Sequence, residues 1–351
     1  MIRRLTAAAL AAAALTAGVI GLSPGTAHAV TAVDVVGNFA GDAREEIFWY
    51  VSGSTPDVMV SLSNGGVSGG ELTGETFDFA VNGTYTPVVG NFDSDAFDEI
   101  LWYAPGTAQD FVWNFTSMST YTTRPYSVQG TYRPIAGDFT GDGTDDIIWY
   151  VPGTGQDYIW DYNADGRYTS APYTINGVYT PVAGSFGTNE TDDVLWYSPG
   201  SGADFLWDFN PGGTTYESRP FPVNGSFRPI VLDVWNEGWA SEDIFWYAPG
   251  AGADYLWDFV DGVPTSDPDP VNGNYYSVVA GDFLGDGHDD IMWYGEASEV
   301  LWDHASDGAG GLNRWTYQYI YTAAAATHAT ALRDGPSGVS PSGSVAIERN
   351  H

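Results

Sequence analysis

The sequence predicts an all-β protein, a β-propeller of four-stranded antiparallel blades, and three observations lead to that prediction. One unit recurs six times, at intervals of 47 to 53 residues. Each unit contains four short runs rich in Val, Ile, Tyr, Trp and Phe, and no amphipathic helical pattern follows residue 29. Repeated four-strand units of this length are typical of propeller blades.

A Trp-Tyr pair marks each copy of the unit. A second tryptophan follows the first by 11 residues in four copies and by 9 in the last. Because the pairs persist whatever else varies, we expect them to pack between blades. The pairs are Trp49-Tyr50, Trp102-Tyr103, Trp149-Tyr150, Trp196-Tyr197, Trp246-Tyr247 and Trp293-Tyr294, and the second tryptophans are Trp113, Trp160, Trp207, Trp257 and Trp302.

The third copy shows the four runs most clearly. They read YRPIAGDF, DIIWYVP, QDYIWDY and RYTSAPYTI, separated by an acidic loop, a Pro-Gly turn and an Asp-Gly pair. The run IIWY lacks hydrophobic-polar alternation, as expected of a sheet whose two faces are both covered. Six whole copies predict six blades without strand exchange at ring closure. Seven blades are the alternative, and they would require the residues after Tyr321 to form a degenerate unit.

The two ends of the chain differ in composition from the repeats. Residues 1–29 contain Arg3-Arg4, an apolar Ala/Leu/Val run and the small-x-small sequence Ala27-His28-Ala29, which is the layout of a secretory signal peptide. We therefore expect the propeller over 30–322 and a secreted, extracellular protein. Residues 323–351 have no Trp and no acidic loop, so we expect a flexible tail.

Charge limits the choice of partner. The chain has 45 Asp plus Glu against 11 basic residues, a net charge of −34, and no Cys. This charge argues against binding to nucleic acid or to an anionic membrane surface. Beyond the leader, no run reaches the roughly 18 apolar residues of a membrane span, so we expect no membrane insertion. Without disulfides, stability must come from a large core, from bound cations, or from both.

An acidic loop joins the first two runs of the third copy. Counted from its first aspartate, oxygen-bearing residues stand at positions 1, 3, 5, 7 and 9, with Gly143 at 6. Ca²⁺ takes six to eight oxygen ligands, and glycine at position 6 allows the sharp turn. The candidate ligands are Asp138, Thr140, Asp142, Thr144 through its carbonyl, and Asp146.

The GDFxGDGxDDI pattern of this loop resembles the FG-GAP and VCBS repeats of integrin α-subunit propellers and of many secreted bacterial proteins. The resemblance covers about residues 33–305. It implies that the loop between the first two strands of a blade binds Ca²⁺, and that the ion braces the blade instead of taking part in catalysis.

The calcium pattern carries over unevenly to the other copies. The fourth keeps a single carboxylate among its ligand positions and the fifth has an insertion, so we expect no calcium there. Ala96 and Ala43 replace the glycine in the second and first copies. The remaining candidates are Asp282, Asp286, His288 (through its carbonyl) and Asp290 in the sixth copy; Asn91, Asp93, Asp95 and Glu99 in the second; and Asn38, Asp42 and Glu46 in the first.

An aromatic residue precedes the first strand of each later copy. We expect it where the chain crosses between blades, near the central channel and on the face opposite the acidic loops. Tyr and Arg side chains can stack on sugars or hold an acidic group, although rings that simply cap the channel are the alternative. The candidates are Tyr85, Tyr132, Tyr179, Phe227 and Tyr276, with Arg133 and Arg228 following two of them.

The sequence shows no catalytic constellation. None of the five His lies in a nucleophile-elbow context, and the repeats already account for the paired carboxylates. We therefore expect no enzyme but a binding module for carbohydrate or for a cell-surface or extracellular protein. A propeller-fold polysaccharide hydrolase or lyase, and a purely structural surface protein, are the alternatives.

Overall fold

The computed structural model describes residues 32–53, 57–63, 71–153, 155–200, 202–235, 242–250, 252–273, 275–295, 299–306 and 312–319. The signal peptide expected over 1–29 and the tail expected over 323–351 lie outside these residues. Within the described ranges, no helix has the length and apolar character needed to cross a membrane.

The described residues form six blades of four antiparallel strands, as predicted. Blade 1 contains β1 (Ala32–Gly37), β2 (Glu46–Val51), β3 (Asp57–Ser63) and β4 (Glu71–Phe79). Blade 2 contains β5 (Thr86–Gly90), β6 (Glu99–Tyr103), β7 (Asp110–Ser117) and β8 (Thr120–Tyr126). Blade 3 contains β9 (Arg133–Gly137), β10 (Asp146–Tyr150), β11 (Asp157–Asn163) and β12 (Arg167–Tyr173).

The second half of the ring repeats this arrangement. Blade 4 contains β13 (Thr180–Gly184), β14 (Asp193–Tyr197), β15 (Phe205–Phe209) and β16 (Tyr216–Pro220). Blade 5 contains β17 (Arg228–Leu232), β18 (Asp243–Tyr247), β19 (Tyr255–Val260) and β20 (Val263–Pro268). Blade 6 contains β21 (Tyr275–Gly281), β22 (Asp290–Gly295), β23 (Glu299–Ser306) and β24 (Leu312–Tyr319).

The second strand of each blade is buried on both faces. Every residue of β10 is buried, which explains why the sequence IIWY shows no alternation. The Trp-Tyr pairs pack between blades, as expected: Trp149 of blade 3 lies edge-on to Tyr103 of blade 2, with ring centroids 5.1 Å apart. The hydrophobic core is therefore a circle of interfaces between neighbouring blades.

An acidic residue just before each second strand clamps one blade to the preceding one. In blade 4, Asp192 Oδ2 accepts the backbone N–H of Asp138 (3.1 Å), and the backbone N–H of Asp192 donates to Asp138 O (2.9 Å). A Cβ at Gly137 would lie 2.6 Å from that carboxylate, so glycine is required there. We call these contacts the axial clamps; their acids are Glu45, Asp98, Asp145, Asp192, Glu242 and Asp289.

The ring closes between blades 6 and 1 without strand exchange, as predicted. Glu45 Oε2 accepts the backbone N–H of Asp282 (2.9 Å), and Trp49 Nε1 donates to the hydroxyl of Tyr294 (3.0 Å). The outer strands β4 and β24 also pair in parallel at the rim.

The two faces of the ring carry different connections. The loops between first and second strands lie on one face, which also holds the turns between third and fourth strands; a Cβ on Gly166 would lie 3.4 Å from Cβ of Asp93. On the opposite face, the turn after the second strand pairs with the segment that crosses to the next blade, as in the bridge between Gly106 and Gly130. We call these the loop face and the crossing face.

Candidate functional site

The third-copy loop uses its first carboxylate to hold its own backbone. Asp138 Oδ1 accepts the N–H groups of Gly141 (2.6 Å) and Asp142 (3.1 Å), and Oδ2 accepts the N–H of Gly143 (2.7 Å). At the end of the loop, Asp146 Oδ1 accepts the N–H of Tyr162 (2.9 Å). Thr140 Oγ1 donates to Asp138 (3.4 Å), and Thr144 N to Asp142 Oδ1 (3.0 Å). Both oxygens of Asp138 are therefore engaged within the loop, whereas the buried Asp146 Oδ2 has no hydrogen-bond partner among the described residues.

The sixth-copy loop repeats this pattern around Asp282, which accepts three loop N–H groups at 2.7–3.1 Å. Asp286 Oδ1 accepts the N–H of His288 (3.2 Å), and the imidazole Nδ1 of His288 lies 2.9 Å from Val234 O. Asp290 is fully buried, and neither of its carboxylate oxygens has a hydrogen-bond partner among the described residues. Burial first, and then the neighbouring carboxylates, raise the pKa of Asp290 well above its usual range.

In the first-copy loop, the candidate oxygens already have partners. Asn38 Oδ1 accepts the N–H groups of Gly41 (2.8 Å) and Asp42 (3.1 Å), and Asp42 forms a salt bridge with Arg44 (3.0 Å). Glu46 accepts three hydrogen bonds, two from backbone N–H groups at 3.0 Å and one from a serine hydroxyl at 3.1 Å. These oxygens could therefore bind a cation only if the loop rearranged and gave up its present contacts.

The second-copy loop is the one that gathers carboxylates within the described residues. Asp93, Asp95 and Glu99 each place one oxygen so that the three lie within 4.8 Å of one another. The buried atoms Asn91 Oδ1, Asp93 Oδ1 and Glu99 Oε1 have no hydrogen-bond partner in the described part of the chain. Unpaired buried oxygens are costly, and a hard cation held by Asp93, Asp95 and Glu99 would offer the oxygens of Asp93 and Glu99 a partner. The donor set of this loop therefore fits Ca²⁺.

The raised pKa values of the second-copy carboxylates also support a cation site in this loop. Burial, followed by repulsion from Asp93, raises the pKa of Glu99 to about 10. Burial and the neighbouring Asp95 also raise the pKa of Asp93. A cation reverses these shifts because it stabilises the ionised carboxylates. The second-copy loop has Ser94 in the left-handed region (φ 57°), whereas the third-copy loop has Gly141 and Gly143 there. The two turns therefore have different backbone conformations.

The crossing segments are fastened by the Tyr of each Trp-Tyr pair. Tyr150 donates its hydroxyl to Gly177 O (2.7 Å) and accepts the N–H of Tyr179 (3.0 Å). Buried Asp157 adds a second clasp, because its two oxygens accept the N–H groups of Val151 and Ile175, each at 2.7 Å. Four other crossings repeat both contacts; their Tyr hydroxyls belong to Tyr50, Tyr103, Tyr197 and Tyr247.

The predicted crossing aromatics lie on the face opposite the acidic loops, as expected, and Tyr85, Tyr132, Tyr179 and Phe227 are half-buried. Tyr132 meets Trp149 edge-on, with ring centroids 5.8 Å apart. In blade 6 the prediction named the wrong residue. Tyr275 takes this place, because its N–H donates to Tyr247 (3.0 Å), whereas Tyr276 lies one residue further along, at a bulge in β21. The side chain of Tyr276 lies outside the described residues.

The two arginines at the crossings contact backbone carbonyls of the following crossing segment. Arg133 Nη1 donates to Tyr179 O (3.0 Å), and Arg228 Nη1 lies 3.4 Å from Tyr275 O. Each guanidinium therefore links the first strand of its own blade to the next crossing segment. Arg133 remains exposed and Arg228 half-buried.

Sequence reasoning missed a second row of aromatics on the crossing face. It consists of the first apolar residue of the third strand in blades 2 to 5, and Phe205 is 37% exposed. Tyr158 lies edge-on to Tyr132 (6.4 Å), and Tyr255 to Phe227 (6.3 Å). The signal was present, since these residues stand two before each second tryptophan. The row comprises Phe111, Tyr158, Phe205 and Tyr255.

Comparison with known proteins identifies the fold but not a family. No protein-family model and no curated protein matches the chain. An Agrocybe aegerita lectin that recognises non-reducing terminal N-acetylglucosamine superimposes with a TM-score of 0.55 and 15% identity, over 82% of this chain and 80% of the lectin. The Photorhabdus luminescens Tc holotoxin pore gives a TM-score of 0.48 and 13% identity, over 83% of this chain and 14% of that one. The FG-GAP/VCBS assignment thus rests on the motif resemblance alone.

Proposed function

We propose that this protein is a secreted glycan-binding propeller whose crossing face carries the sugar sites and whose loop face is braced by Ca²⁺. The observation that carries the proposal is the double row of half-exposed aromatics on the crossing face. A crossing ring and a third-strand ring come together there, as in the pair Tyr132 and Tyr158, 6.4 Å apart. Partly apolar surfaces next to exposed amides suit the C–H faces and hydroxyl groups of sugars.

Repetition of the site supports a lectin-like role. The sequence Asn/Gln-Gly-x-Tyr/Phe recurs at five crossings, so one surface would offer several similar sites. Linked weak sites gain avidity when the target is itself multivalent, as cell-surface glycans are. The fold neighbour that recognises N-acetylglucosamine is compatible with this role, and at 15% identity it supports the fold only.

Calcium has a bracing role in this proposal. In the second copy, Asn91, Asp93, Asp95 and Glu99 would hold the ion between β5 and β6. Bound there, Ca²⁺ would neutralise buried carboxylates and fix the turn between the two strands. The crossing face lies at the other ends of these strands, so removal of calcium would loosen the scaffold without removing any sugar contact.

A glycan array, read with Ca²⁺ and with EDTA, tests the proposal. Phe205→Ala and Tyr168→Ala form a matched pair, because both side chains are 37% exposed and only Phe205 lies on the crossing face. We expect Phe205→Ala to weaken binding to the selected glycan, and Tyr168→Ala to leave it unchanged. Absence of glycan binding, or an equal loss in both variants, would overturn the proposal. Release of free sugar from the bound glycan would favour the hydrolase or lyase alternative.

A further inference from the structure

The crossing from blade 3 to blade 4 differs from the others in its exposed apolar surface. Five large hydrophobic side chains are exposed among the described residues, and of these Val178 (65%) and Phe205 (37%) lie on the crossing face. Both belong to this one crossing and its blade. The position of Val178 in the recurring Asn/Gln-Gly-x-Tyr/Phe sequence holds Thr, Ser or Asn at the other four crossings. Packing between blades therefore does not require an apolar residue there.

Trp196 places these side chains at the interface between blades 3 and 4. Its ring centroid lies 6.0 Å from that of Tyr179 and 5.1 Å from that of Tyr150 in blade 3. Phe205 is the cross-strand partner of Trp196, so both side chains are on the same face of the sheet. Val178 stands directly before Tyr179 in the crossing segment. The exposed apolar side chains thus border a single interface.

An arginine stands at the same interface. Arg133 is the cross-strand partner of Tyr150, and its Nη1 donates to Tyr179 O (3.0 Å). The side chain is exposed, and its Nη2 and Nε atoms have no partner among the described residues. The salt bridges in the described part of the chain involve Arg44 and Arg167 instead. An exposed guanidinium without a carboxylate is unusual in a chain with 45 acidic and 11 basic residues.

The fold does not require arginine at this position. Thr86 of blade 2 and Thr180 of blade 4 occupy it in their own blades, each paired with the Tyr of the Trp-Tyr pair as Arg133 is. Blade 5 also has an arginine there, Arg228, but that side chain is half-buried. The combination of an exposed guanidinium with exposed valine and phenylalanine side chains is therefore not explained by the repeat.

We propose that the interface between blades 3 and 4 binds a sugar residue that carries a carboxylate, such as a uronic acid. We call it the 3–4 crossing site and define it by Arg133, Val178, Tyr179 and Phe205. The remaining N–H groups of the guanidinium donate to the carboxylate, and the C–H faces of the sugar ring pack against Val178 and Phe205. This inference rests on the proposed glycan binding and names the class of sugar for one of its sites.

Charge favours a contact of this kind over general attraction. The net charge of −34 repels anions at long range, so an acidic sugar must gain its affinity from direct contact with a cation. A planar guanidinium suits a carboxylate because two parallel N–H groups meet its two oxygens. A neutral sugar would fill the apolar part of the site and leave the guanidinium without a counter-charge.

Calorimetric titration with a trisaccharide that ends in one glucuronate tests the inference. The comparison ligands are its methyl ester, which keeps the ring and lacks the charge, and the same trisaccharide ending in glucose. Wild type should bind the acid about tenfold more tightly than either neutral ligand. Arg133→Thr should fold normally, because threonine stands at this position in blades 2 and 4. It should reduce acid binding to the level of the ester and leave ester binding unchanged.

Val178→Thr tests the apolar part of the site, and threonine is again the residue that two other crossings use, at Thr84 and Thr131. It should weaken binding of acid and ester alike, by about threefold, because it removes apolar contact and no charge. The control is Arg167→Thr, which removes one exposed positive charge on the loop face of the same blade. Its affinity for all three ligands should match that of wild type.

The inference is overturned if wild type binds acid and ester equally, or if Arg133→Thr keeps the preference for the acid. An equal loss of that preference in Arg167→Thr would also overturn it, because general charge would then explain the effect. A peptide ending in Phe-Glu that binds more tightly than the glucuronate ligand and displaces it would assign the site to a protein partner instead.

These outcomes are separable from those of the wider proposal. If none of the three trisaccharides binds while the array detects other glycans, the carboxylate site alone is wrong. If the array detects no glycan either, the proposed glycan binding is wrong and the carboxylate site with it.

Discussion

Replacing Tyr150 with phenylalanine removes one oxygen atom that fastens the crossing from blade 3 to blade 4. The hydroxyl donates to Gly177 O at 2.7 Å and accepts from Tyr179 N at 3.0 Å, and the site is partly buried. Two hydrogen bonds are lost without a change of shape, at about 1 kcal/mol each, so we expect about 2 kcal/mol of destabilisation. Because larger proteins shift by roughly 2 °C per kcal/mol, the melting temperature should fall by about 4 °C.

Differential scanning calorimetry at fixed calcium measures this change. The control is Tyr168→Phe in the same blade, whose ring stacks on Trp160 with centroids 4.0 Å apart. It loses the same atom but does not join a crossing segment, so its melting temperature should stay close to that of wild type. An unchanged melting temperature for Tyr150→Phe, or equal losses in both variants, would refute the fastening role of the hydroxyl.

Three further outcomes follow from the buried carboxylates. Ca²⁺ should raise the melting temperature and EDTA should lower it. Glu99→Gln should reduce the calcium-dependent rise, whereas the control Glu217→Gln, at an exposed acid in β16, should retain it. A melting temperature that does not respond to EDTA would contradict calcium binding. Burial raises the pKa values of Asp193 and Asp243 to about 8. Their stabilising contribution is therefore complete below the unfolded pKa of about 4 and is lost as the pH rises through 8, so urea midpoints without calcium should fall from about pH 5 to about pH 9. Asp157→Ala leaves two backbone N–H groups without their acceptor and should cost about 3 kcal/mol, more than Tyr150→Phe; a smaller loss in urea titration would argue against the clasp.

The repeats predicted the fold because they encode it directly. Strands such as β10 are short apolar runs between fixed turns, and a constant spacing of Trp-Tyr pairs forces equivalent strands into equivalent places. The axial clamps were not predicted, because the sequence does not distinguish an acid such as Asp192 from the other carboxylates of the loop. Its contact with the preceding blade exists only in the folded ring.

The candidate site was predicted less completely. The third-copy loop matches the calcium pattern best, yet Asp138 holds its own loop and one buried oxygen, Asp146 Oδ2, is left unpaired among the described residues. The second copy leaves three buried oxygens unpaired there, on Asn91, Asp93 and Glu99. A sequence pattern identifies the oxygens that could bind a cation. It does not show which of these oxygens accept hydrogen bonds from backbone N–H groups instead. Tyr275 was missed because a bulge shifts the register by one residue.

The axial clamps also bear on chain entropy. Five of them join residues 54 to 60 positions apart, whereas the clamp from Glu45 to Asp282 spans 237. Closing the longer span costs about 1 kcal/mol more in loop entropy, so blades can add one after another and the last junction forms late. A circular permutant opened at another crossing, with the present ends joined, would move this junction elsewhere and keep all six clamps. Its folding rate would change more than its stability.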